Sequence, residues 1–146
     1  PADGILLATS GMARVGVSDR ISHIFTTSEM LPAVGQGIVA VECAANDWET
    51  RERLARIDDA SARACAEAER EVLWVLDGHC NSPIAAHAVI DGDTMTMESA
   101  VMEIDGDKII RHTASGPAEY PRELGRTVGL ALVAKGAQAI IEATRV

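Results

Sequence analysis

Over residues 58–146 the sequence predicts an α+β domain, a three-stranded antiparallel sheet covered by helices, preceded over residues 1–57 by an incomplete α/β segment. Three observations carry this. The apolar pattern has a helical period up to Leu76 and a period of two from Ile84 onward. Two Asp-Gly pairs, Asp91-Gly92 and Asp105-Gly106, punctuate the period-two stretch where hairpin turns need positive φ. Upstream, short apolar runs alternate with helix signals but supply too few strands to close a sheet.

Taken in order, Gly4-Ile5-Leu6-Leu7-Ala8-Thr9 is a continuous apolar run, the pattern of a strand buried on both faces. Ser10 is placed to cap a short helix through Met12, Ala13 and Arg14 that stops near Gly16. A strand end leading into a helix start is where α/β sheets hold ligands, which puts Arg14 near such a mouth. Residues 19–25 are weakly patterned and fit helix or strand. In Leu31-Pro32-Ala33-Val34-Gly35-Gln36-Gly37, two glycines flank Gln36 and allow a tight turn with close backbone approach. Residues 38–41 read as another strand. Asp47 caps a helix over 47–57, with Glu49 and Glu52 in its favourable first turn.

A second helix begins after Asp58 and Asp59 and runs to Leu76. Ala62, Cys65, Ala68, Val72, Leu73 and Leu76 form its apolar stripe, and Glu67, Arg70 and Glu71 fall mostly outside it. Strands follow over 84–90, 94–104 and 108–114, and a parity shift in the middle one predicts a bulge near Ser99. Pro117 and Pro121 bound a loop. The next helix covers about 121–135, with Leu124, Val128, Ala131 and Leu132 inward and Gly125 and Gly129 allowing close approach to the sheet. Gly136 ends it, and 137–143 forms a last short helix.

Between the long helix and the first strand lies Asp77-Gly78-His79-Cys80-Asn81-Ser82-Pro83. Gly78 can take positive φ at the helix end, and Pro83 keeps Ser82 out of the α region. Cys80 is therefore expected on an ordered, accessible loop tip, although a lone cysteine is more often a small buried hydrophobe.

Composition narrows the chemistry. The 146 residues are 47% hydrophobic and 24% charged but only 3% aromatic, so Ala, Val, Ile, Leu and Met must build the core. The formal charge of −9 divides as −2 over residues 1–57 and −7 over 58–146. No basic stripe is available for nucleic acid or an anionic membrane, and no apolar run reaches the roughly 20 residues of a membrane span. The start, Pro1-Ala2-Asp3-Gly4, has neither Met nor signal-peptide features and predicts a segment of a longer chain. Cys43, Cys65 and Cys80, odd in number and widely spaced, favour a reducing cytoplasm over a disulfide framework.

Cysteine hydrolysis fits poorly. His79 adjoins Cys80 so their side chains diverge, and no Asn or Asp is evidently placed to orient His87. A zinc site from Cys65, His79, Cys80 and His87 lacks any Cys-x-x-Cys or His-x-x-x-His pair, so no metal is expected.

Three stretches occur in order at suitable spacing: Gly11-Met12-Ala13-Arg14-Val15-Gly16, then residues 31–37 on to Glu42, then Glu69-Arg70 ahead of Gly78-His79-Cys80-Asn81-Ser82-Pro83-Ile84. Together they make the chain resemble the C-terminal half of porphobilinogen deaminase, or hydroxymethylbilane synthase, over essentially its whole length. The resemblance implies a transferase of tetrapyrrole (heme) biosynthesis, which joins four porphobilinogen units with loss of ammonia on a dipyrromethane primer held by a cysteine thioether. That cysteine corresponds to Cys80. Arg14 matches an arginine that contacts carboxylates of cofactor or substrate, and Gln36 and Gly37 match the loop lining the cleft. Residues 1–57 then correspond to the end of the second domain and its return into the first, and 58–146 to the cofactor-attachment domain.

The physics agrees with that implication. Each pyrrole brings acetate and propionate, which forked arginines hold well, and a tether makes each elongation effectively unimolecular. Two departures stand out. His79, Asn81 and Ser82 replace the Gly, Gln and Val common around the family cysteine, and the family's catalytic aspartate and most of its arginines are absent from these residues. The expectation is an inactive fragment whose partner is porphobilinogen or the growing polypyrrole, from an enzyme that is a monomer when whole. Strand 38–41, left with open edges, would let the fragment self-associate. The alternative is a non-catalytic α+β interaction module whose Cys80 is structural.

Overall fold

The structure, a computed structural model, describes residues 3–145. These form two compact units, one up to Met30 and one from Leu31.

The first unit holds α1 (Thr9–Arg14) and a 3₁₀ turn (Ser18–Arg20). The expected strand over 4–9 is not formed, and Ile5, Leu6 and Leu7 are exposed. A run meant to be buried on both faces needs a strand on each side, and the described residues offer neither. α1 starts earlier than expected, with Ala8 at its N-cap and no side-chain cap, so Ser10 lies inside it. Of residues 19–25 only the 3₁₀ turn is regular, and the His23 and Phe25 rings meet edge-on at 4.7 Å. Thr26 donates its backbone N–H and its hydroxyl to Glu29, and these bonds hold that carboxyl below its ordinary range.

The second unit contains α2 (Trp48–Leu54), α3 (Ala60–Leu76), β1 (Ile84–Asp91), β2 (Thr94–Met102), β3 (Ile109–Pro117), α4 (Pro121–Ala134) and α5 (Ala137–Glu142). Asp47 caps α2 by accepting the Thr50 N–H, and Asp59 caps α3 by accepting that of Ala62. The strands form one antiparallel sheet in the order β1-β2-β3. Gly92, at φ 57°, opens the two-residue loop between β1 and β2, where type II′ hairpins place glycine.

The expected bulge at Ser99 is absent, because pairing runs unbroken from Thr94 to Val101 against β1 and from Thr94 to Met102 against β3. Met95, Met97, Ser99 and Val101 keep one parity toward the core. Ser99 occupies an apolar position while its hydroxyl donates to Ala85 O at 2.7 Å, so no backbone shift is needed. Residues 38–41 form no strand either. Val39 is 88% exposed, and the open-edged strand through which self-association was expected is missing.

One core joins the layers: Ala68, Val72 and Leu76 of α3, Leu124, Val128 and Leu132 of α4, Ile140 and Ile141 of α5, and the inward residues of the sheet. Gly125 and Gly129 bring α4 close to α3, not to the sheet as expected. A Cβ on Gly125 would run into Ala68 O and meet Glu71 Cβ at 2.8 Å; one on Gly129 would meet Val75 Cβ at 2.7 Å.

This packing fixes the sign of a substitution. Helix preference alone favours alanine over glycine by about 1 kcal/mol. Gly125→Ala is nevertheless expected to destabilise the chain by about 2 kcal/mol through overpacking against the α3 backbone. Leu130→Ala, at an exposed position of the same helix, should stay within about 0.5 kcal/mol. Urea midpoints measure both, and an unchanged midpoint for Gly125→Ala contradicts the packing account.

Candidate functional site

The loop that carries Cys80 begins as the left-handed cap of α3. The positive φ falls on Asp77 (φ 50°), not on Gly78 as expected. Gly78 N–H donates to Leu73 O at 2.9 Å and Asp77 N–H to Trp74 O at 3.3 Å, the paired bonds of a Schellman motif. Gly78 is closely surrounded: a Cβ there would sit 2.8 Å from Ile84 Cδ1 and 3.1 Å from Leu73 Cδ2, and these side-chain ends would have to shift. Aspartate tolerates the left-handed region better than most residues, and Arg145 holds it by donating to its carbonyl (2.9 Å) and its carboxylate. That hydrogen bond to Asp77 also raises the Arg145 guanidinium above its ordinary value.

The tip is a four-residue turn. Ser82 N–H donates to His79 O at 2.9 Å, and Ser82 Oγ accepts the His79 N–H at 2.8 Å. Cys80 and Asn81 are its central residues, both exposed. Pro83 O then accepts the Met102 N–H, which ties the loop to β2. Ser82 thus braces the turn from both ends, and the sulfur at its tip makes no hydrogen bond among the described residues.

The arrangement also shows what Cys80 does not do. His79 Nδ1 accepts the Asn81 N–H at 3.3 Å, and its Nε2 lies 3.5 Å from Thr144 Oγ1. Both ring nitrogens face other partners, so His79 does not serve as a base for the neighbouring thiol. Cys65, half-buried on α3, differs in kind: burial pushes its thiol above the ordinary range, and the Glu69 carboxylate pushes the same way.

The second expected element is a pair of turns. Gln36 N–H donates to Ala33 O at 3.0 Å, and Ile38 N–H to Gly35 O at 3.1 Å. Gly35 and Gly37 stand at φ 71° and 86°, values that explain both glycines. Gln36 Oε1 accepts the Ala33 N–H at 3.1 Å, so the side chain staples its own turn. Gln36 and Gly37 are exposed. The segment before them lies along the outer edge of β1: Ala86 N–H donates to Pro32 O at 3.0 Å, and Ala33 pairs with Ala85.

Cys80, Gln36 and Gly37 therefore belong to one unit. Arg14 belongs to the other, exposed at the end of α1 and in no ion pair among the described residues. The sequence places Glu69 in the Glu69-Arg70 stretch of the resemblance but assigns it no role. It is buried, and its carboxylate accepts the Gly35 N–H at 2.7 Å and the Ala88 N–H at 2.9 Å. Its signal was a charged residue four positions after Cys65 and three before Val72, inside the apolar stripe.

Two family models match this chain. Residues 63–134 match the porphobilinogen deaminase C-terminal domain, and residues 1–52 match the porphobilinogen deaminase dipyromethane cofactor binding domain. Among curated relatives, the porphobilinogen deaminase of Corynebacterium diphtheriae is 40% identical over 139 residues, 95% of this chain and 47% of the relative. That of Acidithiobacillus ferrooxidans is 42% identical over 143 residues, 98% of this chain and 46% of the relative. That of Syntrophobacter fumaroxidans is 37% identical over 140 residues, 96% and 45% respectively. The chain thus spans about half the length of the curated relatives it matches.

Thiol accessibility gives a direct check. At neutral pH an alkylating reagent is expected to modify Cys80 and Cys43 at least about tenfold faster than Cys65. Because its ionisation is displaced upward, Cys65 should gain reactivity only as pH rises beyond the ordinary thiol range. Peptide mapping after timed quenching reads all three, and a Cys80 that reacts no faster than Cys65 contradicts its exposed placement.

Proposed function

The chain belongs to the porphobilinogen deaminase family, and on that premise we propose that it supplies the C-terminal part of a hydroxymethylbilane synthase, with Cys80 as the attachment point of the primer. The carrying observation is the exposed sulfur at the tip of a loop whose bracing does not depend on it. The Asp77 cap, the Ser82 brace and the Pro83 tie to β2 fix where the sulfur stands. The sulfur suits a thioether, since it has no hydrogen-bond partner among the described residues to lose when it is alkylated. A dipyrromethane bound there supplies a primer end to which successive pyrroles are joined as ammonia leaves.

The remaining roles follow from the chemistry of a polycarboxylate ligand. Arg14 would grip an acetate or propionate group, because it is a permanently charged fork with no ion-pair partner among the described residues. The exposed Gln36–Gly37 turn would line the path of the growing chain, with the Gln36 amide nitrogen left to donate while its oxygen staples the turn. Residues 58–146, at net −7, repel such a ligand, so most of the cationic contacts must come from other parts of the complete enzyme. The domain division proposed for this chain runs between residues 57 and 58, with 58–146 as the cofactor-attachment domain, and so differs from the division into compact units after Met30. Three unpaired cysteines support a reducing, cytoplasmic setting. No helix among the described residues is long and apolar enough to cross a membrane.

Intact-mass measurement tests this reading. Alone with porphobilinogen, the chain is expected to form no uroporphyrin. Co-expressed with the N-terminal half of one of the relatives, it should gain a mass of dipyrromethane size that maps to Cys80, turns pink with Ehrlich's reagent and is lost in Cys80→Ser. An adduct on Cys43 or Cys65, or turnover by the chain alone, contradicts the proposal.

A further inference from the structure

Glu69 is the only charged residue among the described ones that is buried, at 4% exposure. A carboxylate withdrawn from water costs several kcal/mol unless charge-assisted hydrogen bonds fill its acceptor sites. Here both oxygens are filled by backbone donors from different segments. Oε2 takes the Gly35 N–H (2.7 Å) and Oε1 the Ala88 N–H (2.9 Å), with His87 Nδ1 at 3.8 Å from Oε1. A residue needed only to fill the α3 stripe would be apolar. Two converging N–H groups instead match the two oxygens of one carboxylate.

The two donors explain the geometry around them. Ala88 lies on the open edge of β1, two residues beyond Ala86, whose N–H donates to Pro32 O. Because Ala33 pairs antiparallel with Ala85, the segment runs away from Ala88 after Pro32, and Glu69 takes the Ala88 donor that this segment leaves free. Gly35, at φ 71°, makes the turn, and its N–H reaches the second oxygen. Val34 packs against the core on one side of this anchor, and Gln36 and Gly37 stand exposed on the other. α3, which carries Glu69, also ends in the cap that opens the Cys80 loop.

We infer that Glu69 is a positioning residue whose carboxylate fastens the Gln36–Gly37 turn to the same helix-and-sheet body that carries the Cys80 loop, so that attachment point and turn keep a fixed separation. This rests on the roles proposed above for Cys80, Gln36 and Gly37. Wherever the body moves as pyrroles are added, the turn travels with the tether.

Amide hydrogen exchange followed by NMR tests the anchor without any pyrrole. In the unsubstituted chain the Gly35 and Ala88 amides should be protected. Gly35 exchanging at the rate of an unstructured peptide overturns the inference whether or not any variant folds. Glu69→Gln keeps the shape but turns an NH₂ group toward one of the two N–H donors. It should therefore accelerate Gly35 or Ala88 at least about tenfold while Met97 and Val101 stay unchanged. A role in packing alone would be rescued by this isostere, and unchanged exchange in Glu69→Gln overturns the proposal. In the complemented enzyme the same variant should still carry the Cys80 adduct but show a KM for porphobilinogen raised more than kcat is lowered; an unaltered KM overturns the positioning role. If the anchor responds as described but unsubstituted Cys80 never carries an adduct, the cofactor reading fails and the anchor stands.

Discussion

A carboxylate buried between a helix, a strand edge and a passing segment holds the second unit's periphery to its core. Glu69 sits on the inward stripe of α3, so the packing that places Val72 and Leu76 against the sheet also places its oxygens at the edge of β1. Without two well-aligned N–H donors the charge would oppose folding; with them, it requires Gly35 and Ala88 to be where they are. It also settles an edge strand. Two outward N–H groups of β1 are taken by Pro32 O at Ala86 and by Glu69 at Ala88, which leaves less open edge for another chain to pair with.

α3 is accordingly the element to which the chemistry refers. Its middle anchors the Gln36–Gly37 turn, its C-terminus is shaped into the cap that presents Cys80, and its outer face meets α4 through two glycines. The attachment role proposed for Cys80 needs a rigid base and an open tip, and these demands conflict within a regular element. The loop separates them: Asp77, Gly78, Ser82 and Pro83 make the base, and Cys80 and Asn81 are left as the tip. The same division explains why His79 and Ser82 can replace small or apolar family residues without disturbing the sulfur. Ser82 spends its hydroxyl on the His79 N–H, and His79 turns its ring toward Asn81 N and Thr144.

The C-terminal elements were legible because their hydrogen bonds close locally. Three strands between Ile84 and Pro117 find their partners through short loops, and the helices on either side reveal their stripes, so pattern alone gives the α+β layer. What was misread there turned on a single side chain. Ser99 looked like a break in parity because the apolar pattern shifts from Met95 and Met97 to Ala100, Met102 and Ile104, yet the core parity continues through Ser99, whose hydroxyl donates to the Ala85 carbonyl. Gly125 and Gly129 signalled close approach correctly, but a glycine pattern does not say which neighbour approaches. Gly78 signalled the helix end, while the left-handed residue proved to be Asp77, one position earlier. Of the candidate residues, the exposed position of Cys80 could be read from Gly78 and Pro83. The fastening of the Gln36 turn could not, since it depends on a carboxylate thirty-odd residues away whose burial only the packed helix reveals.

The N-terminal apolar runs obey the same accounting with the opposite outcome. Residues 4–9 and 38–41 carry the composition of buried strands, yet Ile5, Leu6, Leu7 and Val39 are exposed and no strand forms. A strand is not a local structure: its N–H and C=O groups lie to either side, and a chain that supplies no neighbour leaves them to water. Helix α1 in the same region does form, because its bonds are internal. The contrast separates what six residues can satisfy alone from what they can satisfy only in company. It also explains why the helix-borne parts of this chain match their expected positions more closely than the runs that need a sheet.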